Sequence, residues 1–232
     1  MKLRCTLCSL VCAGLIASVS FAQPPGGGRG MGMGMGGGSG LALVKGKDVA
    51  ADLKLTEEQV KKLEELDKKN GEKRRKAMEE AAGDREAMMT AMQELNKESE
   101  KALGEIISAD QSKRLKQLQL QSTLKSAGLM AALANPEVSK ALNFNEEQQE
   151  QLKGFREDMQ TTMREMFSGG GGGDRQEMMK KMQEYRTSID KKLTKMMTEE
   201  QNKKLAELKG EPFKGEFPAP QMGGRRGPGK IG

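Results

Sequence analysis

The stretch LKLTEEQVKKLEEL, residues 53–66, decides the fold. Leu55 is followed by Thr56, a good N-cap residue, and Gln59 stands three positions later. A cap side chain at Thr56 accepts from the N3 amide, and an N3 glutamine reaches back to the cap amide. Glu57 and Glu58 fall in the first turn, where the helix dipole favours negative charge. The residues that follow repeat apolar positions at helical spacing. The same pattern returns as ISADQ at 107–111, FNEEQ at 144–148 and MTEEQ at 197–201. Ser108 with Gln111, Asn145 with Gln148 and Thr198 with Gln201 repeat the reciprocal cap, each worth about 1 kcal/mol. The local chemistry of the motif is therefore that of a helix start.

The motifs belong to a duplication. Residues 84–118 align with 174–208 at an offset of 90, with 13 identities in 35 positions. Upstream the offset is 89: Val49, Leu53, Glu57, Glu58, Gln59 and Leu63 match Val138, Leu142, Glu146, Glu147, Gln148 and Leu152. This divides the folded part into repeat 1, residues 41–127, and repeat 2, residues 128–209. Each repeat is predicted to hold a short helix and three longer ones. Asn135-Pro136 starts the short helix of repeat 2. The five glycines at 169–173 end its first long helix, and Asp174 opens the next. In repeat 1 the corresponding helix must pass Asn70-Gly71, where a kink or fraying is expected.

Composition excludes several classes. The chain has 232 residues, 3% aromatic, with no tryptophan and no histidine, and its Ala, Glu, Lys, Leu, Gln and Met bias favours an all-α fold. Lys2 and Arg4, an apolar stretch from Leu10 to Phe21 and the small-x-small site Ser20-Phe21-Ala22 read as a secretory signal peptide, residues 1–22, cleaved near Ala22. Cys5, Cys8 and Cys12 all lie within it, so a periplasmic or secreted mature chain without cysteine is expected. Residues 23–40 are glycine- and methionine-rich and read as a flexible tether, and residues 210–232 as a Gly/Pro-rich disordered tail. Residues 48–209 carry 30 basic and 31 acidic residues, which argues against a nucleic-acid partner. No run is long and apolar enough to predict a transmembrane segment. Without histidine or a mature cysteine, and with no nucleophile elbow or phosphate loop after a strand, the residues point away from an enzyme and to no cofactor.

A leader followed by an all-helical, cysteine-free chain with paired LTxxQ motifs resembles the Spy/CpxP family of periplasmic proteins. LTEEQ at 55–59 carries the motif in full, MTEEQ at 197–201 has Met for Leu, and ISADQ and FNEEQ are looser. The resemblance implies antiparallel helical hairpins that assemble into a cradle, and an ATP-independent chaperone or envelope-stress adaptor. It implies unfolded or misfolded envelope proteins as partners. The tandem duplication implies that one chain supplies both halves of a pseudo-dimeric cradle; a homodimer is the alternative.

The candidate client-binding surface is methionine-rich: Met88, Met89, Met92, Met178, Met179 and Met182, with Met159, Met163 and Met166 beside them. Methionine is flexible and polarizable and suits a surface that accepts many partners. The spacing fits a buried stripe as well as an open one. Met31, Met33 and Met35 in MGMGMG offer three thioethers, the ligand type of Cu(I), so soft-metal binding is a second reading. A non-catalytic helical scaffold of the envelope is a third.

Overall fold

The computed structural model describes residues 40–168 and 175–218, without the side chains of 166–168 and 175. All of these belong to one compact unit, Gly36–Gly232. Among the described residues there are ten α-helices and no strand, so the fold class is all-α. The helices are α1 (Gly40–Val44), α2 (Lys47–Asp52), α3 (Glu57–Glu80), α4 (Arg85–Ile106), α5 (Ala109–Ala127), α6 (Leu129–Leu133), α7 (Pro136–Leu142), α8 (Glu146–Ser168), α9 (Arg175–Met196) and α10 (Glu199–Lys209). The expected signal peptide and tether, residues 1–39, lie outside the described residues, as do the glycine run at 169–173 and residues 219–232.

Two short helices precede α3 and two precede α8, where the sequence suggests one in each case. The additional pair, α1 (GLALV) and α6 (LMAAL), are five-residue apolar segments too short to show a period. Both are almost wholly buried. The α5–α6 corner turns on Gly128, at φ +85°, where a Cβ would strike the Arg186 side chain at 2.9 Å. Asp190 of α9 accepts from the Leu129 amide at 2.8 Å and so caps α6 from another helix.

Two hydrophobic cores form. The first joins Leu41, Leu43, Val44, Val49, Leu53, Leu63, Leu103, Ile107, Leu115 and Leu118. The second is built from α6, α7 and the inner ends of α8, α9 and α10, with Leu133 and Leu193 almost fully enclosed. Helix α5 serves both. Its Leu115 and Leu118 enter the first core and Leu120 the second.

Helices α3 and α4 run side by side in opposite directions. Gln59 reaches the Ile106 carbonyl, Asn70 the Ser99 hydroxyl and Lys73 the Glu98 carboxylate. The fraying expected at Asn70-Gly71 does not occur: α3 is an unbroken helix from Glu57 to Glu80. A mid-helix glycine costs about 1 kcal/mol. The tertiary bond from Asn70 Nδ2 to Ser99 Oγ, 2.9 Å and buried, anchors the helix at this point. Ala82 at φ 43° and Gly83 at φ 92° make the turn, and Asp84 caps α4 by accepting from the Glu86 and Ala87 amides.

Residues 210–218 correct the expectation of a disordered tail from 210 onwards. They form a strap over the first core. Phe213 and Phe217, with ring centroids 4.6 Å apart, pack against it. Gln121 accepts from the Phe213 amide at 2.8 Å and donates to the Lys209 and Glu211 carbonyls. The Glu216 amide donates to Asp48 at 2.7 Å. Arg114 pairs with Asp52 through two nitrogens and gives a third bond to the Glu211 carbonyl, tying α5, α2 and the strap together. The sequence hid this because glycine and proline dominate the local composition, whereas two aromatic side chains and their backbone bonds decide the outcome. Phe213→Ala, half-buried, is expected to lower stability by about 1–2 kcal/mol through lost apolar burial, read as a lower urea midpoint. A midpoint unchanged by the substitution would show that the strap adds nothing to the fold.

Candidate functional site

The four motifs are helix starts. Thr56, Ser108 and Thr198 accept from the amides of Gln59, Gln111 and Gln201, each at 3.2 Å, and Asn145 from Gln148 at 2.8 Å. Each glutamine oxygen accepts in return from its cap amide, at 2.8–3.1 Å. Of the residues before the caps, Ile107, Phe144 and Met197 are core members, while Leu55 is half-buried against the first core.

The structure adds a link that motif-by-motif reading missed. The glutamines pair. Gln59 Nε2 donates to Gln111 Oε1 at 2.8 Å, and Gln111 Nε2 returns a bond to Gln59 Oε1 at 3.1 Å. Each amide also donates to the end of the helix before the other motif: Gln59 to Ile106 O at 3.0 Å, Gln111 to Leu53 O at 3.1 Å. Gln148 and Gln201 repeat the arrangement, bonding each other at 2.8 and 2.9 Å, and the carbonyls of Met196 and Leu142 at 3.0 and 3.1 Å. A glutamine amide has two donors and two acceptor lone pairs, and here all four are used. Glutamines at the same place in similar motifs, 52 and 53 positions apart, were the sequence signal.

These interlocks hold the inner ends of the long helices together, where the cores are. The outer halves are left thin. Between Leu63 and Leu103 no side chain joins the first core's buried set, although Asn70, Ala81 and Ser99 are buried between α3 and α4. The candidate methionines lie on these outer halves. Met89 and Met179 are 46% and 59% exposed, and Met78 and Met159 are 56% and 36% exposed. Met88, Met92, Met163, Met178 and Met182 are half-buried. None of these belongs to either core. The side chain of Met166 lies outside the described residues. Leucine is the commonest residue of the cores at the inner ends, with Met130 and Met197 in the second, whereas the other methionines with described side chains cluster on the outer halves or, like Met196, only pack against a core.

Charge borders the second group of methionines. Lys181 hydrogen-bonds Glu177, and its ammonium holds the Glu177 carboxyl below the ordinary glutamate range, while Glu177 raises Lys181. Both side chains are solvent-exposed, and this pair beside Met178 and Met179 remains ionised at neutral pH. Among the described residues no three histidine, cysteine or acidic side chains are grouped to hold a metal ion, and no helix is long and apolar enough to cross a membrane. Met31, Met33 and Met35 lie outside the described residues. No family model, curated protein or solved structure matches the chain.

Gln59→Glu preserves shape but removes both donated bonds and sets a carboxylate against the Ile106 carbonyl. Its expected cost is about 2–3 kcal/mol, measured by urea unfolding. A Gln59→Ala/Gln111→Ala cycle is expected to show strong non-additivity, because either single change already orphans the other amide. Additive losses would mean that the two amides act independently.

Proposed function

We propose that the chain is an ATP-independent periplasmic chaperone or envelope-stress adaptor, which binds unfolded or misfolded envelope proteins on the methionine faces of its long helix pairs. The observation that carries this reading is the exposure of Met78, Met89, Met159 and Met179 on helix ends that belong to no core. An adaptable apolar strip bordered by ionised side chains accepts many sequences without demanding one shape. The leader-like residues 1–22 and the LTxxQ motifs support an envelope location.

The finer architecture in this proposal is two tandem helical hairpins that form the halves of one pseudo-dimeric cradle. Helices α4 and α9, Arg85–Ile106 and Arg175–Met196, begin and end at positions equivalent under the offset of 90. Helices α3 and α8 begin at positions equivalent under the offset of 89. The two glutamine interlocks have the same partners in both halves. These agreements support the repeat reading.

The test is light scattering of a chemically denatured client diluted into an equimolar amount of the protein. Suppressed aggregation is expected. Met89→Glu/Met179→Glu should lose the suppression while keeping helicity, since exposed substitutions change stability by about 0.5 kcal/mol or less. No suppression by the unsubstituted chain would overturn the chaperone reading.

A further inference from the structure

We propose that the exposed methionines at the outer helix ends are a reversible oxidation site, through which peroxide converts the apolar faces into polar ones. The functional consequence rests on the client-surface reading above; the chemistry rests on exposure and composition alone. The chain has no histidine and no tryptophan, and its three cysteines fall at positions 5, 8 and 12. The single tyrosine, Tyr185, keeps its hydroxyl buried. Across residues 40–168 and 175–218 the thioethers are therefore the side chains that a two-electron oxidant attacks most readily.

Those thioethers fall into separate groups. Met78, Met89, Met159 and Met179 are between 36% and 59% exposed, whereas Met130 and Met197 are 5% and 6% exposed inside the second core. In the reaction the methionine sulfur gives an electron pair to hydrogen peroxide, gains one oxygen atom, and one water leaves. A thiol-dependent sulfoxide reductase reverses it, with two thiols oxidised to a disulfide and the oxygen leaving as water. The new S=O group is a strong hydrogen-bond acceptor. At an exposed site water solvates it, so the fold survives while the apolar strip is lost. In the core the same oxygen would be buried without a donor. This division of methionines lets oxidant act on the surface and spare the scaffold.

The full chain is treated with hydrogen peroxide and mapped by peptide mass spectrometry. Met78, Met89, Met159 and Met179 should gain oxygen about tenfold or more faster than Met130 and Met197. Retention on a phenyl matrix should fall with helicity unchanged, and sulfoxide reductase with a dithiol should restore it. The variant Met78→Leu/Met89→Leu/Met159→Leu/Met179→Leu, which keeps the half-buried Met88, Met92, Met163, Met178 and Met182, should show a clearly smaller fall after the same exposure, and an equal fall would overturn the assignment to the four exposed positions. Equal oxidation of Met130 and Met197, loss of helicity with the first sulfoxides, or unchanged retention would each overturn the proposal. Client suppression is measured in parallel. If the reduced chain suppresses nothing, the chaperone reading fails and mapping and retention still decide the oxidation site. If reduced and oxidised chains suppress equally, the switch is overturned.

Discussion

Two side-chain amides bonded face to face hold each half of this protein together. Gln59 and Gln111, and again Gln148 and Gln201, each have every donor and acceptor engaged. One oxygen closes a helix start and meets the partner amide. One nitrogen meets the partner and ties down the end of a preceding helix. A helix terminus leaves backbone groups unpaired, and bringing several termini together concentrates that demand in one place. The paired glutamines satisfy several such groups at once, so the inner ends of the long helices can meet without stranding polar atoms.

The rest of the architecture follows from this concentration. Short helices gather around the interlocked ends and contribute to the cores: apolar α1 with Val49 of α2 in the first, apolar α6 with Val138 and Leu142 of α7 in the second. Helix α5, with leucines in both cores, makes the halves mechanically continuous. The strap at 210–218 returns from the end of the second half to the first and bonds to α2 and α5. Beyond the cores the long helices have one neighbour and an open side. Two helices packed together cannot enclose an apolar stripe as a bundle does. The half-buried Met88, Met92, Met178 and Met182 express that geometry.

An open apolar side on a stable scaffold combines adaptability and persistence. Few buried contacts let the outer halves adjust locally, while fully enclosed residues such as Leu118 and Leu193 resist. The polar pair Asn70–Ser99 is replaced by Met159 and Ile189 at the equivalent positions of the second half. The segments aligned in sequence thus share their glutamine interlocks and differ in the middle of their long helices. The shared chemistry lies where the fold is held, and the divergence where the surface is open.

The sequence by itself determined the all-α class and the starts of the long helices. Caps and amphipathic periodicity act within a few residues, and their signals are local. It also singled out the methionines, but spacing alone could not place them inside or outside, because a stripe at helical period reads the same whether two helices or four surround it. Tertiary structure decided that question: Met89, Met159 and Met179 are exposed, and none of the candidates with a described side chain joins either core. It decided that Gln59 meets Gln111, since an amide 52 residues away enters no local rule. It anchored α3 beside Gly71 by a bond from Asn70 to another helix. It turned a glycine- and proline-rich segment into an ordered strap, because Phe213 and Phe217 found an apolar surface that only the folded first half presents.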